Sequence, residues 1–305
     1  MKDPIIEVRN FRKVYGDVVA VEEASFEVHQ GEIFGLLGPN GAGKTTILES
    51  LEGLRQPDGG SLRVAGIDPV RQDNQLRDLI GVQLQSGGLP ETLSVEGAMR
   101  FFCAYHGVPP RPELLERLGL GQKRKAQYYQ LSTGLKRRLT LAIAMIHNPP
   151  VLILDEPTAG LDVPSRAELH NLLRELQAAG TTILLATHDM AEAEALADRV
   201  AILLHGEIVT IGTPLDITAT GSGLTKISIY TKENSLAHLD VTFPAVQQKK
   251  FKDNYMIYYS RDISPTLMAL IAHIESNGDI LVDLRVARPS LEERFLEITN
   301  GGGTG

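Results

Sequence analysis

One stretch limits the folds open to this chain more than any other. GPNGAGKTT, Gly38 to Thr46, lies between an aliphatic run, Ile33 to Leu37, and a helix predicted from Ile47 to Glu52. It fits the pattern GxxxxGK[ST]. In a strand–loop–helix setting such glycines let successive backbone N–H groups turn inward, which makes an anion cradle at a helix N-terminus. The candidate phosphate-binding residues are Gly38, Asn40, Gly41, Gly43, Lys44, Thr45 and Thr46. Lys44 offers a point charge to the β and γ phosphates of a nucleotide, and the Thr45 hydroxyl is a ligand for Mg²⁺.

The rest of the sequence supplies a matching scaffold. Short aliphatic runs at Ile33 to Leu37, Val151 to Leu154, Ile183 to Ala186 and Val200 to Leu204 alternate with helix-spaced segments at Leu135 to His147, Ser165 to Ala178 and Met190 to Leu196. That alternation predicts an α/β fold with a mainly parallel sheet buried on both faces. Ile5 to Phe11 and Val18 to Val28 instead alternate apolar with polar residues, which predicts an antiparallel β subdomain at the sheet edge. No strong strand run occurs from Ser86 to Gln130, so a helical insertion is expected over about residues 86–147. TATGSG, Thr218 to Gly223, reads as a linker between a domain of residues 1–220 and a small C-terminal α+β accessory domain of residues 221–300. The second domain reads as strand, strand, helix, strand, helix, with Ser290 capping the last helix and a disordered tail at residues 301–305.

A phosphate loop needs an acid to position its metal, and VLILDEPTAGLD provides two at a strand end. Buried without cations, adjacent carboxylates cost several kcal/mol, so Mg²⁺ or solvent must compensate them. Asp155 is assigned as the outer partner of Mg²⁺ and Glu156 as the base that polarises an attacking water. A solvated surface strand end is the competing reading. His188 follows another buried strand, where α/β sheets gather ligands; a histidine taken alone there is more often a cap or a solvated residue, and Thr187 and Asp189 are capping candidates beside it. Gln85, in IGVQLQS, reads alone as a polar loop residue. Tyr15 can stack on a flat base or pack at a sheet edge.

LSTGLKRR, Leu131 to Arg138, has the outline of a second anion site: Ser132 to cap a helix, Gly134 for close approach, and three cations on the first turn. One chain with two such sites poses a question that spacing does not answer.

Taken in order, these motifs resemble the nucleotide-binding subunit of ABC transporters over about residues 5–220. Tyr15 resembles the aromatic A-loop, Gly38 to Thr46 the Walker A loop, Gln85 the Q-loop glutamine and LSTGL the LSGGQ signature. Asp155 and Glu156 resemble Walker B, Asp162 in AGLD the D-loop, and His188 the switch histidine. The resemblance implies a P-loop NTPase core that binds ATP and Mg²⁺, with Gln85 joining Thr45 and Asp155 around the metal. It also implies a head-to-tail dimer with a second copy of the subunit, in which Ser132 and Gly134 face the nucleotide held by the other copy's Walker A loop. The two anion sites of one chain would then serve two different nucleotides. Thr133 and Leu135 depart from the family pattern at the signature's second glycine and its glutamine. RPSLEERFLEIT in the tail resembles the ATPase subunits of bacterial type-2 exporters of the drug and antibiotic efflux class. That resemblance implies a separate transmembrane permease subunit, docked between the Gln85 loop and the helical insertion. Leu89, Leu93, Phe101 and Phe102 would form either the groove's floor or the insertion's own core.

Composition excludes little but bears on the alternatives. A formal charge of −8 argues against a protein built to neutralise nucleic acid, so no nucleic-acid partner is expected. It disfavours a soluble ABC ATPase acting on ribosomes or DNA, types that resemble two cassettes in one chain or carry a long heptad insertion. A single cysteine, Cys103, and the lack of a long apolar run or of a secretory pattern at MKDPIIEVRNF fit a peripheral subunit on the cytoplasmic face of the plasma membrane.

Overall fold

The computed structural model describes residues 3–71, 73–83, 88–219, 224–236, 242–287 and 290–301. The chain divides into two compact units, Met1–Thr213 and Pro214–Gly305. Among the described residues no helix is long and apolar enough to cross a membrane.

The first unit is built on a nine-stranded sheet. Two long strands, β1 (Pro4–Tyr15) and β2 (Val18–His29), form an antiparallel hairpin, and β4 (Gly59–Val64) pairs with the outer side of β1. The central strands are short: β3 (Ile33–Leu37), β5 (Ile80–Gln83), β6 (Val151–Asp155), β7 (Thr182–Thr187) and β8 (Arg199–Leu204). They lie parallel in the order β8-β3-β7-β6-β5, and β9 (Glu207–Gly212) runs antiparallel to β8 and bridges to β2. Every residue of β3, β6 and β7 is buried, as expected where helices cover both faces of a parallel sheet. The α/β class, the parallel sheet and the antiparallel subdomain thus stand as the sequence predicts.

The helix after the phosphate loop, α1 (Lys44–Leu51), buries Ile47, Leu48 and Leu51 in the cluster that also holds Phe11, Phe26 and Leu36. Full burial of each such side chain stabilises by about 1.5–3 kcal/mol, so the loop at the head of α1 is anchored to the sheet. Within this cluster Phe26 stacks on Phe34 at 5.3 Å, tying β2 to β3.

After a short turn of helix, α2 (Asp73–Leu76), the insertion carries α3 (Val95–Tyr105), α4 (Pro112–Arg117) and α5 (Thr133–Ala144). Ser94 starts α3 by accepting a hydrogen bond from the Gly97 N–H at 3.0 Å, and Val95, Ala98, Met99 and Cys103 form its buried stripe. Beside them α6 (Val163–Ala178) buries Leu169, Leu172, Leu173 and Leu176, a helical period that fixes which face meets β7. The helix α7 (Met190–Leu196) leads from β7 back to β8.

The second unit begins with α8 (Pro214–Ala219) and holds a four-stranded antiparallel sheet of β10 (Thr225–Thr231), β11 (Val246–Lys252), β12 (Tyr255–Ser260) and β13 (Leu281–Ala287). The strand order is β11-β12-β10-β13. Leu270 and Ile274 of α9 (Ile263–Ser276) cover one face, packing on Ile227, Ile229, Met256 and Tyr258. In α10 (Leu291–Gly301) Ser290 accepts from the Glu293 N–H while Glu293 accepts from the Ser290 N–H, so the expected cap is a reciprocal capping box. One strand, β11, is absent from the sequence reading. Its residues VQQKKFK are exposed after the first, so no apolar alternation marks it.

Candidate active site

The Walker A loop leaves the C-terminal end of β3 and enters α1 through Gly43, which has φ 108°. A side chain there is strained by the backbone and crowded as well, since a Cβ would lie 2.7 Å from the Ala20 carbonyl oxygen. At Gly38 a Cβ would fall 2.4 Å from the Leu203 carbonyl oxygen. Both glycines therefore answer to sterics, in addition to leaving the N–H groups open toward a ligand.

Lys44 is buried and curls back over its own loop, donating to the carbonyls of Gly38 at 2.7 Å and Pro39 at 3.1 Å. Burial lowers its pKa, opposed by the negative charges of Glu156 and Asp155. The Thr45 hydroxyl donates to Asp155 Oδ2 at 3.3 Å. Asp155 is buried at the end of β6, and burial raises its pKa, while the Thr45 bond acts the other way. A threonine oxygen and a carboxylate oxygen meeting in a desolvated corner beside a phosphate loop suit a hard divalent cation.

Glu156 is also buried and adopts φ 47°, a left-handed backbone that a non-glycine residue holds at a cost of about 1–3 kcal/mol. Its N–H donates to the Ala186 carbonyl at 2.9 Å, so β7 helps to hold the strained turn. The carboxylate meets His188 across the edges of β6 and β7, with Nδ1 and Oε1 2.7 Å apart. The backbone beside His188 is fixed in turn: Asp189 caps α7 by accepting from the Ala191 and Glu192 N–H groups, and its own N–H donates to Thr187 Oγ1. Of the sequence candidates, Lys44, Thr45, Asp155, Glu156 and His188 are thus brought into one site.

The signature turn stands elsewhere in the same unit. Ser132 caps α5, accepting from the Leu135 N–H at 3.3 Å, and both Ser132 and Thr133 are exposed. A Cβ on Gly134 would be 3.5 Å from Leu161, and one on Gly160 3.6 Å from Thr133, so the turn adjoins the AGLD segment. Asp162 there caps α6 through the Ser165 N–H at 3.1 Å, and its hydrogen bonds to Ser165 hold its pKa below the usual carboxylate range. The basic residues behind the turn are engaged at their own level: Arg138 pairs with Glu168, and Lys136 lies over the Tyr128 ring at 4.5 Å.

Tyr15 ends β1 and is 38% exposed, open enough for its ring to take a stacked base. Lys13 Nζ lies 5.4 Å from the ring centroid and the Arg55 guanidinium 5.7 Å. Arg55 is marked by no motif, because it comes from the α1–β4 connection, whereas Lys13 lies two residues before Tyr15 on β1. Gln85 lies outside the described residues.

These geometries have counterparts among known proteins. Residues 21–159 match the model of the ABC transporter domain. The Nod factor export ATP-binding protein I of Cupriavidus pinatubonensis is 38% identical over 302 residues, covering 97% of this chain and 90% of that protein. This chain belongs to the ABC transporter ATP-binding proteins. As such an ATP-binding subunit it binds and hydrolyses ATP. The Daunorubicin resistance ATP-binding protein DrrA3 of Streptomyces coeruleorubidus is 34% identical across 98% of this chain and 97% of its own length, so the similarity extends through the second unit. A solved ATP-binding subunit of an ABC transporter aligns at a TM-score of 0.65 with 29% identity, over 70% of this chain and 91% of that one. An ATP-binding cassette solved in its ADP conformation, 21% identical with a TM-score of 0.63, shares the fold.

Proposed function

We propose that this subunit drives an exporter, as two copies of the chain that close around two ATP molecules beneath a separate transmembrane permease on the cytoplasmic face of the membrane. The observation that carries this reading is the meeting of Thr45 with Asp155 and of His188 with Glu156 at the head of α1. Lys44 and the loop N–H groups hold the β and γ phosphates. Thr45 and Asp155, with Gln85, would hold Mg²⁺, and that ion would neutralise charge on the phosphate oxygens. Glu156 takes the proton of the attacking water, and His188 keeps its carboxylate aimed. Tyr15 stacks on the base.

One helix N-terminus faces only one side of the γ-phosphate. The exposed turn at Ser132 and Gly134 of the second copy covers the other, with Asp162 lining the same junction. Binding then favours closure, and cleavage of ATP removes the group that bridges the copies. Export follows from the relatives, whose names specify export and drug resistance and which match this chain almost end to end. A groove of about 650 Å³ between α1's exit and the insertion, lined by Leu54, Leu76, Val82, Phe102, Tyr105 and Ile143, offers the permease a seat. Of the apolar residues weighed from sequence for its floor, Phe102 lines it.

The direct test is the mass of the Glu156→Gln chain with ATP and Mg²⁺. A stable dimer holding two unhydrolysed ATP molecules supports the reading, and a monomer saturated with ATP refutes the shared site.

A further inference from the structure

The two edges of the accessory sheet are built differently. At one edge β11 exposes Lys249, Lys250 and Lys252, the kind of charged guard that keeps an open strand from pairing with another chain. At the other, β13 pairs with β10 on one side, and among the described residues no strand pairs with its free side. It carries no lysine, and Leu281, Val282 and Val286 are 37%, 54% and 43% exposed.

The side chains of β13 sort by face. Leu284 and Val286 stand opposite Ile229 and Ile227 of β10, on the face that α9 covers. Asp283 and Arg285 share the other face. There Arg285 Nε donates to Asp283 at 2.8 Å, and the Tyr255 hydroxyl donates to the same carboxylate at 2.6 Å.

A strand that pairs antiparallel with its own copy does so about a two-fold axis perpendicular to the sheet. Opposed residues share a face, so the axis must pass through a residue pair of the same number. Centred on Asp283 or on Arg285, the pairing sets like charges against each other. Centred on Leu284, it sets Asp283 of each copy opposite Arg285 of the other, Val282 opposite Val286, and Leu281 opposite Ala287. Within the strand's central residues this one register satisfies the charges and covers the exposed valines together.

We infer that β13 pairs with β13 of a second copy, antiparallel and centred on Leu284, joining two four-stranded sheets into one continuous sheet with both α9 helices on the same side. This contact goes beyond the nucleotide sandwich and requires no ATP. A dimer measured without nucleotide therefore reports on β13, whatever becomes of the shared ATP site.

The test uses the full chain, free of nucleotide, in sedimentation equilibrium. The wild type is expected to dimerise, and Asp283→Arg and Arg285→Asp should each weaken the dimer by about tenfold or more, since each sets like charges opposite. An equimolar mixture of the two variants should recover wild-type dimerisation, with one copy of each by native mass spectrometry. Every introduced charge then faces its opposite across the axis, which no pairing within one chain can achieve. As an independent arm, Leu284→Cys should form a disulfide-linked dimer under mild oxidation, Cys103 being buried. A monomeric wild type, a mixture that does not recover, or the absence of that cross-link overturns the inference.

Discussion

His188 Nδ1 stands 2.7 Å from Glu156 Oε1, a contact between the ends of two buried strands. An ionised carboxylate only accepts, so the protonated Nδ1 donates and the carboxylate is held in one orientation. Glu156 sits on a left-handed turn that local propensity disfavours, so tertiary bonds from β7 set the position that the histidine then refines. The two residues should therefore fail differently. Glu156→Gln removes the base and should lower turnover by about 10²–10⁴-fold while ATP still binds. His188→Ala leaves the base but frees it, and should lose about tenfold to a hundredfold in kcat with little change in ATP affinity. Steady-state hydrolysis and equilibrium nucleotide binding separate the two, and wild-type turnover in Glu156→Gln would remove that residue from the base role.

Ser132 and Thr133 are exposed at the open end of α5, and the Ser132 hydroxyl caps the helix through the Leu135 N–H. Replacing Ser132 by Trp blocks that end and removes a cap worth about 1 kcal/mol, with no buried core disturbed. Hydrolysis should fall by at least about tenfold while ATP binding to the isolated subunit stays within about twofold, as expected for a group acting on the other copy's nucleotide. Equal losses in both assays would place Ser132 on its own chain's ATP.

Glu52 ends α1 beside the groove, and its buried Oε2 has no hydrogen-bond partner among the described residues. Burial, with help from the charges of Glu49 and Asp155, pushes its pKa from 4.5 up to about 7. Between those values the folded chain keeps a proton that the unfolded chain has lost, so stability falls as pH rises from 4.5 to about 7 and stays lower above it. Glu52→Gln keeps the neutral shape at every pH. Relative to wild type it should gain up to about 3 kcal/mol by pH 8 and little near pH 4.5. Thermal midpoints of the two proteins across that range should diverge upward with pH; parallel curves would mean the carboxyl stays solvated.

Sequence legibility tracks how local each cause is. The phosphate loop is legible because strand, glycines, lysine and helix follow one another within a few residues, and Asp155 with Glu156 because two acids cannot end an aliphatic strand without a reason. The β11–β12 hairpin is less legible: its turn residues Asp253 and Asn254 have φ 52° and 67°, but the strand they serve is polar on both faces. Arg55 beside Tyr15 could not be read at all, since only the fold brings it to that ring, whereas Lys13 stands two residues away on the same strand. The contact of Gly134 with Leu161, which joins the signature turn to the AGLD segment, depends in the same way on how α5 and α6 pack.

The first unit should fold without the second. The core around Phe11, Phe26, Ile47 and Leu184 draws on residues up to Ile208, and the core around Ile229, Tyr258 and Leu270 begins at Ile227. Among the described residues this first core lies wholly within the first unit, and the nine-stranded sheet is complete at β9. Ending the chain after Thr213 should leave β1 to β9 folded, with slow amide exchange retained in β3, β6 and β7, the strands buried along their whole length. Monomer ATP binding should also survive, because Lys44, Thr45, Asp155 and Tyr15 all remain on supported elements. Loss of protection in β3 and β7 on truncation would mean that the first unit's stability depends on the accessory unit.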